Sequence, residues 1–291
     1  MNLKERLSES HFLKLFKIAK KSSKIMTVVG AVICIMLVIF VVFGSFVTPY
    51  DPLEMSDDTL QPPSSKHIMG TDLLGRDLFS RLIAGSRYSL GVSFVAVGLS
   101  LSIGLILGSM SGFFGGPLDR VLMLIMDSLY VFPGFIFVLV MAVVLGPGIW
   151  QTALAVSFGR IPSNFRMIRS ITLSVKERGF IEAEKIMGAS YKHIILYHIS
   201  PFYLSILLVT VSLGLARGTL AISGLGFLGL GIPPPTPEWG TELAMGRAFL
   251  LRGCWWGVVF PGLFVMIAML GFNLLGEGLN VIINPTVKRL K

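Results

Sequence analysis

Charged residues are scarce in this sequence: they make up 14% of its 291 residues, whereas hydrophobic residues make up 53%. A soluble domain has roughly a quarter of its residues charged, and a soluble chain with so few charges would expose large apolar patches. The composition therefore argues against a soluble fold and favours an all-α polytopic membrane protein.

Cysteines are few, and nucleotide-binding motifs are absent. The chain has 2 cysteines and 4 histidines, whose spacing fits neither a disulfide framework nor a zinc site. It contains no glycine-rich phosphate loop, no metalloprotease motif and no nucleophile elbow. The net charge of +9 comes mainly from loops between apolar segments, which does not indicate a nucleic-acid partner. We therefore expect no enzymatic activity, and no cofactor or metal in this chain.

Six segments are long and apolar enough to be transmembrane helices, which need about 20 mainly apolar residues. The first is too long for the core of a cleaved signal peptide, which is about 7–15 residues, so we expect it to be retained. Arg160, Pro162 and Arg166 interrupt the fourth, whose end we expect to emerge into water or to line a cavity. The six segments are 25–47, 90–114, 121–145, 149–168, 203–230 and 255–275.

Basic residues orient these segments, because cytoplasmic loops carry an excess of Lys and Arg. Most of the 25 basic residues fall on one side if both termini are cytoplasmic. The basic N-terminal segment before the first span, residues 1–24, is then either an amphipathic helix on the inner membrane surface or a partly disordered tail. The predicted divisions are the cytoplasmic lead (1–24), a first transmembrane helix (25–47), an extracytoplasmic segment (48–89), a transmembrane domain (90–285) with an inner loop at about 174–201, and a cytoplasmic tail (286–291).

A polar island lies between the fourth and fifth apolar segments, and its charges place it outside the lipid. Gly188 interrupts its helical pattern, which predicts two short helices joined by a turn. Glu182 and Lys185 can share one helix face, while Ile186 and Ala189 can present an apolar contact. Such a helix suits a groove on a partner protein; the alternative is an ordinary interfacial helix without a partner.

This island resembles the EAA loop of ABC importer permeases, a short cytoplasmic helix that docks onto an ATPase subunit. Glu184 replaces the second alanine of that loop, and His198 and Ser200 replace its isoleucine and leucine. Glu182, Ala183, Gly188 and Pro201 match it at the right spacing. The resemblance assigns ATPase coupling to Glu182, Ala183, Glu184, Gly188, Ala189 and Ser190.

Further stretches resemble one branch of that family, the dipeptide, oligopeptide and nickel permeases of the second type. Together they cover the chain from about residue 48 to 285. They are residues 67–81, 113–116, 132–134, 226–240 and 272–279.

The resemblance implies a type I ABC importer permease in the cell inner membrane, with six transmembrane helices and a cytoplasmic coupling loop. It implies as partners a second homologous permease, two ATPase subunits that bind ATP and Mg, an extracytoplasmic solute-binding protein and the membrane lipid. Di- or oligopeptides are the expected solutes. The alternatives are nickel or a metal chelate, glutathione or oligosaccharides, and a stand-alone channel or secondary transporter is the less favoured class because it needs no ATPase-binding helix.

Ionisable residues inside the spans are candidates for the translocation pathway, because such charges usually face a bundle interior or a cavity. Asp127 and Arg217 are the two that we single out. Related permeases carry glycine at the position of Arg217 and an acidic residue at that of Ile222. Arg217 either attracts a carboxylate or phosphate of the solute, or pairs with Asp127 or with the second permease; we favour the ion pair.

The outer segment holds four charges beside a spanning helix. They are expected to form a salt-bridged structural cluster, a contact for a solute-delivering protein or a solvated face, and we favour the structural role. Three tryptophans on the same side suit the aromatic belt at the outer interface. These residues are Asp72, Arg76, Asp77 and Arg81, and Trp239, Trp255 and Trp256.

The charge asymmetry makes a topological prediction. A cysteine introduced at Ser65 or next to Arg247 should react in intact cells with a membrane-impermeant thiol reagent, whereas one next to Lys192 should react only after the membrane is permeabilised. The opposite labelling pattern would reverse the orientation.

Overall fold

The computed structural model describes residues 3–283, and the side chains of all of these except residues 3–22, Ser45, Ser205 and Ile283. This part of the chain forms α-helices and no β-strand, which confirms the all-α class. The predicted tail, 286–291, lies outside the described residues. The helices are α1 (Leu3–Val47), α2 (Leu78–Phe114), α3 (Gly116–Tyr130), α4 (Gly134–Leu145), α5 (Ile149–Phe158), α6 (Ile161–Lys176), α7 (Gly179–Ile186), α8 (Tyr191–His193), α9 (Pro201–Phe227), α10 (Trp239–Arg247) and α11 (Trp256–Ile283).

Four helices are long and apolar enough to cross a membrane. They pack one against the next, α1 along α11, α11 along α9, and α9 along α2. α1 also joins the predicted lead to the first span in one helix; the lead side chains are not described, so its place on the membrane surface stays a prediction. The apolar stretches are Ser23–Gly44, Leu78–Phe114, Ile206–Phe227 and Trp256–Ile282.

The third predicted span is a bent pair of helices. α3 and α4 meet at an angle of 91°. Pro133 lies at the bend and caps α4. Proline lacks a backbone N–H and disfavours the helical conformation of the preceding residue, here Phe132. Counted as one span, the pair brings the spans within the described residues to five.

The fourth predicted span, 149–168, is divided into α5 and α6 at Gly159 and Arg160. α5 has 10 residues and so rises about 15 Å, half of a typical hydrocarbon core. Pro162 lies in the first turn of α6, where its missing N–H is tolerated. The interrupting residues seen in the sequence therefore start a new helix here.

α6 lies tightly along α2 because two glycines on α2 leave room for its backbone. A Cβ at Gly104 would lie 2.6 Å from Asn164 Cβ, and one at Gly108 would lie 2.7 Å from Phe165 O. The Asn164 Nδ2 group also donates a hydrogen bond to Ser100 Oγ at 3.2 Å. α6 is thus fixed to the longest apolar helix just before the polar island.

The four outer charges form a buried structural cluster, as favoured from the sequence, and not a solvated face. Arg81 is 0% exposed, and its Nη2 lies 2.5 Å from Glu242 Oε1 on α10. Arg76 Nε donates to Asp72 Oδ2 at 2.6 Å, and Asp77 caps the N-terminus of α2. The cluster ties the outer segment to α2 and α10.

Two of the three tryptophans depart from the aromatic-belt prediction. Trp239 and Trp256 are buried in the protein, and only Trp255 is substantially exposed. The indole N–H of Trp239 donates to Leu82 O at 2.9 Å, and that of Trp256 to Thr71 O at 3.1 Å. Both indole N–H groups are therefore bonded to a backbone carbonyl of the protein. Trp239 joins α10 to α2, and Trp256 joins α11 to the segment before α2, so neither ring serves as a contact for lipid headgroups.

The Arg81–Glu242 pair predicts a large loss of stability when it is broken from one side. Arg81→Met leaves a buried carboxylate without a partner, which typically costs about 3–5 kcal/mol, and should lower the thermal unfolding temperature of the detergent-solubilised protein. Arg81→Met combined with Glu242→Leu should recover part of that loss. Lys66→Met, which breaks the exposed Lys66–Asp58 pair, is the control, and equal unfolding temperatures for the two single variants would contradict the assignment.

Candidate functional site

The predicted coupling segment follows α6 as a small separate unit. α7 is closed by Gly188, whose φ is +82°. The Gly188 N–H donates to Lys185 O at 3.1 Å, and the Ala189 N–H to Glu184 O at 3.0 Å. These two bonds form a Schellman motif, which favours glycine at the left-handed position. The segment is therefore two short helices joined by a turn, as the sequence predicted.

The chain beyond the turn returns directly to the membrane-spanning helix α9. Ser190 Oγ accepts a hydrogen bond from the His193 N–H at 3.3 Å and so caps α8. α8 continues into a π-helical stretch, Ile194–Ile199. The wider π turn lets Ile194 and Ile199, five positions apart, both be fully buried.

Apolar side chains fasten this unit, which we call the coupling loop (179–200), to the helix bundle. Ile181 of α7 is fully buried together with Ile194 and Ile199. The same cluster includes Ile168 and Val175 of α6 and residues of α2 and α9, so a movement of the loop would be passed to three helices. Its buried members are Phe113, Ile168, Val175, Ile181, Ile194, Ile199 and Tyr203.

The opposite side of the coupling loop is open. Ile186 is 81% exposed and Met187 73%, although both are large and apolar. Glu182 is exposed beside them, and Glu184 Oε1 lies 3.4 Å from His198 Nε2. α7 is thus anchored through its buried side, and its exposed end presents apolar side chains surrounded by charges. Such a surface suits binding in a groove of a partner protein.

An aromatic contact that the sequence did not predict braces the loop. The rings of Phe113, Phe114 and Tyr191 lie 5.4–5.7 Å apart in edge-to-face pairs. Lys185 Nζ and Lys176 Nζ lie 5.4 and 6.0 Å from the centre of the Phe113 ring. The Phe-Phe-Gly-Gly stretch at 113–116 carried the family resemblance, but nothing local to it indicated a contact with a loop far along the chain.

The pathway candidates Asp127 and Arg217 are not brought together. Asp127 Oδ1 pairs with Arg166 Nη2 at 2.6 Å, and the Arg166 guanidinium lies 4.1 Å from the centre of the Tyr130 ring. The predicted Arg217–Asp127 ion pair is therefore wrong, because Arg166 on α6 is the nearer counter-charge. Arg217 has no ion pair within the described part of the chain.

Arg217 instead lines a cavity of about 300 Å³ together with Arg160. Arg160 comes from the break between α5 and α6, and Arg217 from the middle of α9. Apolar side chains make up most of the remaining wall. They include Phe135, Val138, Val156 and Leu220.

Comparison with known proteins identifies the architecture. Residues 104–289 match the family of binding-protein-dependent transport system inner membrane components. The chain belongs to this family. Residues 23–63 also match the N-terminal transmembrane domain of oligopeptide transport permease C. The protein is thus a multi-pass inner-membrane permease subunit of an ABC importer, and a transport component rather than an enzyme.

Several permeases are similar over most of their length. The probable D,D-dipeptide permease DdpC of Escherichia coli (strain K12) is 37% identical over 89% of this chain and 87% of its own. The dipeptide permease DppC of Alkalihalophilus pseudofirmus is 35% identical over 94% and 89%. The glutathione permease GsiD of Escherichia coli O6:K15:H31 is 38% identical over 90% and 87%.

A solved structure shows the same fold. The chain of the inward-facing methionine ABC transporter MetNI, from its native crystal form, superposes with a TM-score of 0.55 over 72% of this chain and 96% of that one. The sequence identity is 18%, so the likeness concerns the fold alone. It confirms the predicted type I permease architecture.

The Schellman turn predicts a position-specific effect of adding one methyl group. Gly188→Ala forces an L-residue into the left-handed region, at a cost of about 1–2 kcal/mol, and should speed tryptic cleavage at Lys185 and Lys192 about tenfold. Gly179→Ala is the matched control, because a Cβ at either glycine would meet open space and only Gly188 has a positive φ. Equal cleavage rates would show that the turn is not closed as described.

Proposed function

We propose that this permease forms half of the translocation pathway of an ATP-driven importer of di- or oligopeptides. The observation that carries the proposal is the coupling loop, which is anchored to α2, α6 and α9 and exposes Ile186 and Met187 at its tip. A stand-alone channel or secondary transporter does not need a docking helix that is anchored to the bundle and exposes apolar side chains to a partner.

The partners that this proposal requires are a second homologous permease, two ATPase subunits and an extracytoplasmic solute-binding protein. Both termini are cytoplasmic, and the coupling loop therefore faces the ATPases. ATP and Mg are bound by the ATPase subunits, since this chain has no phosphate loop. The loop residues in contact with an ATPase are Glu182, Ala183, Glu184, Gly188, Ala189 and Ser190.

Force passes from the ATPases to the permeases through the buried side of the coupling loop. Closure of the ATPases on ATP draws the two loops together, and Ile181 moves α6 with them because it packs in one cluster with Ile168 and Val175. α2 follows α6 through the close contacts at Gly104 and Gly108. ATP thereby biases a two-state helix bundle toward the outward-open state, and hydrolysis resets it.

The relatives support a peptide as the solute. Two of the three permeases described above are named for dipeptides and the third for glutathione. Glutathione is therefore the second candidate, whereas none of these three names favours nickel, a metal chelate or an oligosaccharide. We place in the pathway Arg217, with the cavity that it lines, and Asp127, which pairs with Arg166.

Uptake by the complete transporter tests the proposal. With the two permeases, the ATPases and the solute-binding protein in proteoliposomes, the wild type should accumulate radiolabelled dialanine only in the presence of ATP. Ile186→Asp should remove both uptake and ATPase co-purification, by about tenfold or more, because a buried Ile contributes about 1.5–3 kcal/mol.

Leu251→Asp supplies the control, since Leu251 is fully exposed in a short 3-10 turn that is far from the coupling loop in sequence. It should leave ATPase co-purification unchanged. Retention of the ATPases by Ile186→Asp would refute the docking role of the loop, and a wild type that does not transport dialanine, glutathione or longer peptides would refute the solute class.

A further inference from the structure

The cavity between α4, α5 and α9 has two arginines that converge from separate elements. A Cβ placed on Gly214, one turn before Arg217 on α9, would lie 3.2 Å from Arg160 Nη2. Arg160 therefore reaches across to the α9 backbone, and glycine at 214 makes room for it. Arg217 lines the same cavity, so two like charges face one space.

Neither arginine is neutralised by the described part of the chain. Neither forms an ion pair with an Asp or Glu of the described residues, and the two acids of α3 pair with other arginines, Asp127 with Arg166 and Asp119 with Arg169. The Arg160 Nε atom is buried and has no hydrogen-bond acceptor. Two like charges beside an apolar wall, one with an unsatisfied donor, need an anion from outside this chain.

We propose that this cavity binds a carboxylate of the transported solute, with Arg160 and Arg217 as its two cationic ligands. The inference rests on the proposed transport of peptides, each of which carries a C-terminal carboxylate in its unmodified form. Guanidinium groups offer planar paired donors that suit a carboxylate. The apolar wall, with Phe135, Val138 and Leu220, suits the side chains of a small peptide.

The size of the cavity favours a solute over an acidic side chain from the second permease. Its volume of about 300 Å³ corresponds to roughly ten water molecules at about 30 Å³ each, and it falls at the lower end of small-molecule sites. A single Asp or Glu side chain would satisfy the arginines but leave most of the apolar wall uncovered.

Thiol chemistry in the assembled transporter measures the charge of this cavity. With Cys34 and Cys254 replaced by alanine, Leu220→Cys places a thiol on the cavity wall. Its reaction rates with an anionic sulfonatoethyl and a cationic trimethylammonioethyl methanethiosulfonate are each divided by the rate for a free thiol. The anionic reagent should be favoured by about tenfold, and Arg160→Gln with Arg217→Gln should abolish that preference.

Protection of the introduced thiol by a bound solute identifies the chemical group that the cavity binds. Dialanine should slow the reaction of the anionic reagent with the introduced thiol in the Leu220→Cys protein that keeps both arginines, whereas dialanine amide, which lacks the carboxylate, should not. Arg252→Gln is the control for charge, because Arg252 lies in the outer loop beside Phe249 and does not line the cavity. It should keep both the anion preference and the protection.

Three results would overturn the inference. One is an anion preference that survives loss of both arginines, and another is equal protection, or none, by dialanine and its amide. The third is loss of the second permease from the purified complex in Arg160→Gln or Arg217→Gln, which would assign the missing carboxylate to that subunit. The proposed import of peptides is tested separately by dialanine uptake into proteoliposomes with the wild-type transporter. That measurement does not depend on the rates of thiol modification.

Discussion

A charge that leaves water needs a counter-charge, and much of this permease is arranged around that constraint. At the start of α2, Arg81 is fully buried against Glu242 and so fixes this end of α2 to α10. Farther along the chain, Arg169 Nε pairs with Asp119 Oδ1 at 2.6 Å, which holds α6 beside α3. Each pair joins elements that are distant in sequence, so the pairs determine helix positions as well as satisfying charges.

α6, which carries Arg169, links the second of these pairs to the coupling loop. Its glycine-lined contact with α2 leaves no room for an added Cβ, and its far end packs in the cluster of Ile181, Ile194 and Ile199. A packed interface of this kind has discrete arrangements rather than a continuum. A displacement of the coupling loop would therefore be passed to α6, whose Ile168 and Val175 share its buried cluster.

The sequence predicted the apolar segments, the turn at Gly188 and the family, because each depends on local patterns of hydropathy, charge or glycine. It did not predict the 91° bend between α3 and α4, although Pro133 marks the place, since an angle depends on what packs on either side. The Asp127–Arg166 pair and the buried Trp239 were missed for a related reason. Contacts between remote segments leave no periodic signal, and an aromatic belt and a buried anchor use the same residue type.

The break between α5 and α6 connects the fold to the cavity of Arg160 and Arg217. Because α5 is only 10 residues long, it carries the chain about 15 Å from the turn at 146–148, half of a typical hydrocarbon core. Arg160 lies at that break, and its side chain lines the same cavity as Arg217. Irregular backbone at membrane depth is tolerated where it is buried in protein or lines such a cavity. The interruption that made the fourth segment the poorest span in the sequence thus positions one arginine opposite the other.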